Sequence, residues 1–264
     1  MSDQPVAIIT GASAGIGATF ARHLAARGCD LVLVARREDR LQALATELLT
    51  AHGTHCEVLP ADLAADADVA RVAARISNLP RVDYLINNAG FGTKGKYFHA
   101  DLAGQVTMHR VHVLAIVQLT HAALQRMVEK DSGAIINVAS VAGFTLSAGG
   151  TSYSATKHWL NVFTEGLYLE LRSSGSRVKV QALCPGFTYS EFHDVLQMDR
   201  SVVPKSWWMS ADFVVAESLK GLDRRGIFVI PGFRYRWLVG LLRFVPRPLI
   251  YWGAIRAGRR MRRD

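Results

Sequence analysis

Three cysteines, Cys29, Cys56 and Cys184, are all that this chain of 264 residues contains, and none lies at metal-ligand spacing from another. That scarcity excludes a disulfide framework or a cysteine-built zinc site as the organising device. The thiols read as buried and reduced, which makes the cytoplasm the expected compartment. The first six residues have no basic n-region, so no signal peptide is expected. Linkers rich in Pro, Gly and Ser are missing and no segment repeats another, so a single large domain is the reading. Acidic residues run out in one place. From residue 232 to the end there are nine Arg against one acid, Asp264, so this stretch holds 9 − 1 = +8 of the formal net charge of +9. The body before it is close to neutral, which excludes a basic nucleic-acid platform and leaves no nucleic-acid partner expected.

What the chain does have is apolar residues, 50% of the total, enough for a sizeable core. They fall in short runs at residues 6–10, 31–35, 56–59, 84–87, 134–138, 179–183 and 227–230. Most of these runs are continuous rather than alternating, as strands covered by helices on both faces must be. Between them, helical spacing covers 16–26, 37–51, 69–76, 102–128, 151–172 and 211–222. The alternation predicts an α/β fold: a doubly wound parallel sheet of seven strands with helices on both faces. Residues 1–231 make the domain, and 232–264 form a basic, apolar appendage.

The first strand runs straight into Thr10-Gly11-Ala12-Ser13-Ala14-Gly15-Ile16-Gly17 and then a helix. Glycines permit a sharp turn and a close approach to the amides, and a helix N-terminus offers unpaired N–H groups to a phosphate. A plain tight turn is the bland alternative, but the strand–turn–helix context favours pyrophosphate.

The spacing Gly-x-x-x-Gly-x-Gly, followed by Asn87-Asn88-Ala89-Gly90, Ser140, Tyr153-Ser-Ala-Thr-Lys157 and Pro185-Gly186, resembles the short-chain dehydrogenase/reductase family over roughly residues 6–190. The resemblance implies a Rossmann fold and a nicotinamide dinucleotide. It assigns cofactor contacts to Gly11, Ser13, Gly15, Ile16 and Gly17, to Asp62 and Leu63, and to Asn88, Ala89 and Gly90. Tyr153, Lys157, Pro185, Gly186 and Thr188 complete that set. Ser190 stands where the family often has Thr. Asp62 has a second reading, as the cap of the next helix.

At the end of the second strand Ala35 stands where an acid would bind the ribose of NAD, and Arg36 and Arg37 follow. Guanidinium groups fork onto a 2′-phosphate, so NADP(H) is expected before NAD(H). The alternative is that both Arg are solvated residues opening a helix. The second basic residue that NADP-preferring relatives often carry in the glycine turn is replaced by Ala14.

Tyr153 and Lys157, four apart, share a helical face. An adjacent ammonium would lower the phenol from its ordinary value near 10 toward acid–base work at neutrality. By resemblance Ser140 polarises the substrate oxygen, Tyr153 carries the proton, and Lys157 also holds the nicotinamide ribose. Hydride transfer needs no metal. One departure stands out: His112 occupies the position of a helix-bending Asn that anchors a relay water. It can replace that Asn through its backbone or imidazole, it can be a satisfied core histidine, or catalysis can be lost with nucleotide binding kept. His109 and His112 lie i, i+3, but no Glu or Cys joins them, and no metal is expected.

The stretch 187–209 carries Phe187, Tyr189, Phe192, Val195, Leu196, Met198, Trp207 and Trp208. It reads either as a lid for an apolar carbonyl or alcohol, such as a lipid, steroid or aryl ketone, or as side chains packing the loop to the body. The C-terminal part lacks the Thr-Gly…Asp-Gly-Gly stretch of the commonest relatives. It resembles the branch acting on long acyl or steroid substrates, and a homodimer through the fourth and fifth helices is expected instead of a tetramer. In the tail, residues 237–252 are apolar but broken by Arg243, Pro246, Arg247 and Pro248, a poor transmembrane span. They suit peripheral contact with anionic lipid, or a helix packed over the substrate site with a solvated Arg-rich end. An NAD-linked alcohol dehydrogenase and a silent dinucleotide-binding protein are the alternative functions.

Overall fold

The computed structural model describes residues 4–260 apart from Lys94, Ser147 and 193–198. The expected lid residues Val195, Leu196 and Met198, and the tail's Arg262, Arg263 and Asp264, lie outside the described residues, as do the side chains of Ala257, Arg259 and Arg260.

Seven strands form one sheet: β1 (Val6–Thr10), β2 (Asp30–Ala35), β3 (Cys56–Pro60), β4 (Tyr84–Asn87), β5 (Ala134–Val138), β6 (Lys179–Leu183) and β7 (Phe228–Val229). Their order is β3-β2-β1-β4-β5-β6-β7 and every pairing is parallel. Such a sheet needs cover on both faces, which is why Ile8, Ile9, Leu33, Ile86 and Ile136 are all fully buried. One face packs on α1 (Gly15–Ala25), α2 (Glu38–His52) and α7 (Ala211–Asp223) through Phe20, Leu41 and Leu219. The other packs on α3 (Asp66–Ser77), α5 (Ala115–Glu129) and α6 (Thr151–Ser173) through Val72, Leu119 and Leu171. The strand order reverses between β1 and β4, and the crevice at their carboxyl ends is where such folds take ligands.

Three expectations change. The helix expected over 102–128 is α4 (Leu102–His109) and α5 joined by a wider π-helical turn, Arg110–Leu114, in which Ala115 N–H reaches back to the Arg110 carbonyl. Hydrophobic spacing cannot register one extra residue in a turn, so sequence reads one helix. The seventh strand shrinks from 227–230 to two residues at the sheet edge. The appendage is two helices, α8 (Phe233–Leu242) and α9 (Arg247–Arg260). Tyr235 and Val239, one turn apart, are each 3% exposed, so the start of the tail packs on the body of the domain. No helix among the described residues is long and apolar enough to cross a membrane.

Candidate active site

A cavity of about 700 Å³ runs along the carboxyl ends of the central strands. At one end, Gly11 and Gly15 adopt φ of +65° and +54°, where a side chain is strained. A Cβ on Gly11 would lie 2.8 Å from Asn88 Nδ2, and one on Gly17 would lie 2.3 Å from the Gly11 carbonyl oxygen. Gly17 does not line the cavity; it lets α1 close against the turn. The N-cap of α1 is Ala14, with no side-chain cap and no acid in the first turn, so the terminal amides are left for a ligand. Thr10 Oγ1 accepts from the Asn88 and Ala89 N–H groups (2.9 and 3.0 Å), and Asn88 Nδ2 donates to the Thr10 carbonyl. These bonds tie the β1 turn to the Asn-Asn-Ala-Gly segment. The open, donor-rich cradle fits a dinucleotide pyrophosphate.

Arg36 is exposed and lines the cavity. Arg37 is the N-cap residue of α2, and its guanidinium donates to Ser13 Oγ at 3.0 and 3.2 Å and to Glu191 at 2.8 Å. It thereby brings to the glycine turn the cation that Ala14 does not supply. Arg40 also pairs with Glu191, and the two guanidinium groups hold that carboxyl below its usual range. Asp62 and Leu63 line the cavity, but Asp62 is not a helix cap: α3 starts at Asp66 behind Ala65, and Asp62 Oδ1 accepts from Ala64 N–H in a local turn. The early start of α3 is favoured by Asp66 and Asp68 in its first turn.

At the other end Ser140, Tyr153 and Lys157 meet. Ser140 follows β5 and caps a 3₁₀ turn, its Oγ accepting from Ala142 N–H at 3.1 Å. Lys157 is buried; its Nζ donates to the Val138 carbonyl at 2.7 Å and lies 5.8 Å from the centre of the Tyr153 ring. The expected lowering of the phenol is not found. Burial pushes Tyr153 up to about 12, only partly opposed by a hydrogen bond with Ser140, because the ammonium is turned to a strand carbonyl. Burial also brings Lys157 down to about 8. Behind the pair, Asn87 Nδ2 bonds Thr120 Oγ1 and Asn137 Oδ1, and Asn137 Nδ2 bonds Thr164 Oγ1, pinning β4, β5, α5 and α6 together.

His112 sits in the π-helical turn, 1% exposed, and does not line the cavity. Phe91 N–H donates to its Nε2 at 3.1 Å, which leaves Nδ1 carrying the proton toward Thr156 Oγ1 at 3.0 Å. Thr156 in turn donates to the Tyr153 carbonyl at 2.9 Å. Burial holds the imidazole well below its usual value. Both nitrogens are committed inside the protein, so the imidazole itself carries no proton to solvent. A Cβ on Gly90 would meet Nε2 at 2.7 Å. His109 Nδ1 bonds the Gln105 carbonyl of its own helix.

The remaining wall is apolar. Phe187, Phe192 and Trp207 line it, while Tyr189 stacks on the buried Trp208 with ring centres 5.0 Å apart. The loop thus divides between wall and packing. Thr188 lines the cavity and its Oγ1 donates to the Gly186 carbonyl. Pro185 and Gly186 line it as well. Among the lining residues that sequence reasoning missed are Tyr235 and Leu238 of α8. Tyr235 Oη accepts from Phe187 N–H (2.9 Å) and donates to the Trp207 carbonyl (2.7 Å), and its ring covers Gly186 so closely that a Cβ there would lie 2.0 Å from it. Nothing local marks Tyr235 as a site residue; only its distant partners do. Glu191 was missed for the same reason.

The short chain dehydrogenase family model matches residues 5–201. Sulfoacetaldehyde reductase 2 of Chromohalobacter salexigens is 37% identical over 198 residues, 73% of this chain and 75% of that protein. Two solved structures are similar over almost the whole chain. A short-chain dehydrogenase from Sphingobium yanoikuyae in complex with NADPH has a TM-score of 0.82 at 38% identity, covering 92% of this chain and 96% of the other. The bulky-bulky ketone specific alcohol dehydrogenase from Comamonas testosteroni has a TM-score of 0.79 at 32% identity, covering 93% and 96%.

Proposed function

The chain belongs to the short-chain dehydrogenase family, oxidoreductases of carbonyl and alcohol groups with a nicotinamide dinucleotide, and from that premise we propose that it interconverts an apolar ketone or aldehyde and its alcohol with NADP(H). The observation that carries the reading is one continuous cavity with the uncapped glycine turn and Arg36 at one end and Ser140, Tyr153 and Lys157 at the other. When bound, the nicotinamide supplies or accepts the hydride.

The chain's own residues do the rest. Ser140 Oγ, set by its own cap geometry, donates to the substrate oxygen and fixes it beside Tyr153. A phenol held near 12 keeps its proton at neutral pH, so Tyr153 is an acid in the reductive direction and takes the proton back in the other. Lys157 spends one of its three donors on Val138 and has two for a ribose hydroxyl. His112 is a positioning residue: it locks Thr156 and the first turn of α6 behind Tyr153 and ties the segment after Gly90 to the same point. Arg36, free of any ion pair among the described residues, and Arg37, held on Ser13, support a 2′-phosphate, as does Ala35 in place of an acid. Phe187, Phe192, Trp207 and Leu238 support an apolar substrate, in keeping with the bulky ketone specificity named for the Comamonas enzyme. Exposed Val106, Leu114 and Val117 on α4–α5 and Val162 and Leu169 on α6 support a homodimer face. The free, buried Cys29 and Cys184 suit a reducing cytoplasm.

The test is NADPH consumption over a panel of apolar ketones and aldehydes. Tyr153→Phe should abolish turnover while NADPH still binds, as followed by cofactor fluorescence. Surviving turnover in that variant overturns the assignment.

A further inference from the structure

The tail has two sides. Its inner side, Tyr235 and Val239 of α8 and the half-buried Ile250, Ala254 and Gly258 of α9, packs on the domain, Gly258 against Ala148. Its outer side is unusually apolar for exposed surface. Phe244 is 86% exposed, Trp237 70% and Trp252 64%, with Leu241, Leu249 and Ile255 all more than half exposed. Arg243, Arg247 and Arg256 are exposed among them, and Arg256 lies 5.5 Å over the Trp252 ring. Scattered apolar side chains need no explanation, but this density on two consecutive helices does.

Charge decides what covers it. A second copy would bring the same tail, +8 against +8, so like charges oppose self-association. Nucleic acid satisfies the Arg but gives Leu241, Leu249 and Ile255 nothing to bury in. An anionic bilayer satisfies both, phosphates for the guanidinium groups and acyl chains for the aromatic and aliphatic side chains. We propose that α8 and α9 seat the protein on the surface of an anionic membrane. Because α8 also walls the cavity through Tyr235 and Leu238, that seat sets the substrate end of the cavity beside the lipid phase.

The proposal stands apart from the reaction assigned above, and its primary readout is binding. The full chain is sedimented with phosphatidylcholine vesicles with and without phosphatidylglycerol. Binding to the mixed vesicles alone, weakened by salt, is the expected result. At the known contribution of a basic residue near an anionic surface, Arg243→Ala, Arg247→Ala and Arg256→Ala together should lower partitioning on the order of a hundredfold. Phe244→Ser with Trp252→Ser should lower it too. Both variants keep Tyr235, so an unchanged melting temperature shows that the fold is intact. Absence of binding to the mixed vesicles overturns the proposal. So does binding untouched by the Arg substitutions, dissociation of an oligomer by the Phe244/Trp252 variant, or retention on duplex DNA without vesicle binding.

Discussion

The two ends of the cavity are built in opposite ways. The phosphate end is backbone: amides at the start of α1, glycines at φ near +60°, and Thr10 and Asn88 stitching adjacent strands together. Its parts sit within one stretch of chain and one strand crossing. The substrate end is side chain, drawn from the loop after β6 and from α8, with Tyr235 joining Phe187 and Trp207. A backbone site admits little variation because its atoms cannot repack. A side-chain wall can change shape while the sheet stays the same, which is how one scaffold takes different substrates.

The comparison can be broken from either end. Gly17→Ala should do most, because its Cβ would meet a main-chain oxygen at 2.3 Å that no rotamer relieves. We expect a loss of about 3 kcal/mol or more of stability, together with loss of NADPH binding, measured by denaturant unfolding and fluorescence titration. Arg36→Ala removes charge-assisted bonds of about 1.5–3 kcal/mol, so KM for NADPH should rise roughly 10–150-fold with little change for NADH. An equal change with both cofactors removes the 2′-phosphate role. Tyr235→Phe leaves the Phe187 N–H and Trp207 carbonyl without their partner and should cost about 1–3 kcal/mol, a melting shift of several degrees. If the two ends are as separate as their construction implies, KM for the ketone rises in that variant and KM for NADPH does not.

The substrate end also has a pH dependence. Lys157 is brought down to about 8 in the folded chain from an unfolded value of 10.5. Between those values the unfolded chain binds more protons than the folded one, so this residue's contribution to stability rises with pH over that window and is flat below about 8. The stability of the parent chain relative to Lys157→Met should therefore rise with pH across the window, which paired melting curves would show.

How much of this was legible follows the same division. The glycine turn, Asn88, Ser140, Tyr153 and Lys157 are set by local spacing, and the fold brings them to one cavity. Their electrostatics were not legible. Burial pushes Tyr153 up, which no local spacing reveals, and the Lys157 ammonium, turned to the Val138 carbonyl, does not offset it. His112 was visible as a departure, but the two bonds that saturate its ring come from Phe91 and Thr156, 21 and 44 residues away.

Sequence alone determined the parallel sheet, because continuous apolar strands alternating with helical segments have no other way to bury both faces. It determined the phosphate turn as well, since glycine takes that left-handed backbone without strain and leaves the amides open to a ligand. Tertiary structure decided where the Arg-rich tail belongs. Sequence left it between a lipid contact and a helix packed over the substrate site, and the Tyr235 hydroxyl, bridging Phe187 and Trp207, makes its first helix a wall of the site. A contact across 48 residues leaves no periodicity for spacing to reveal.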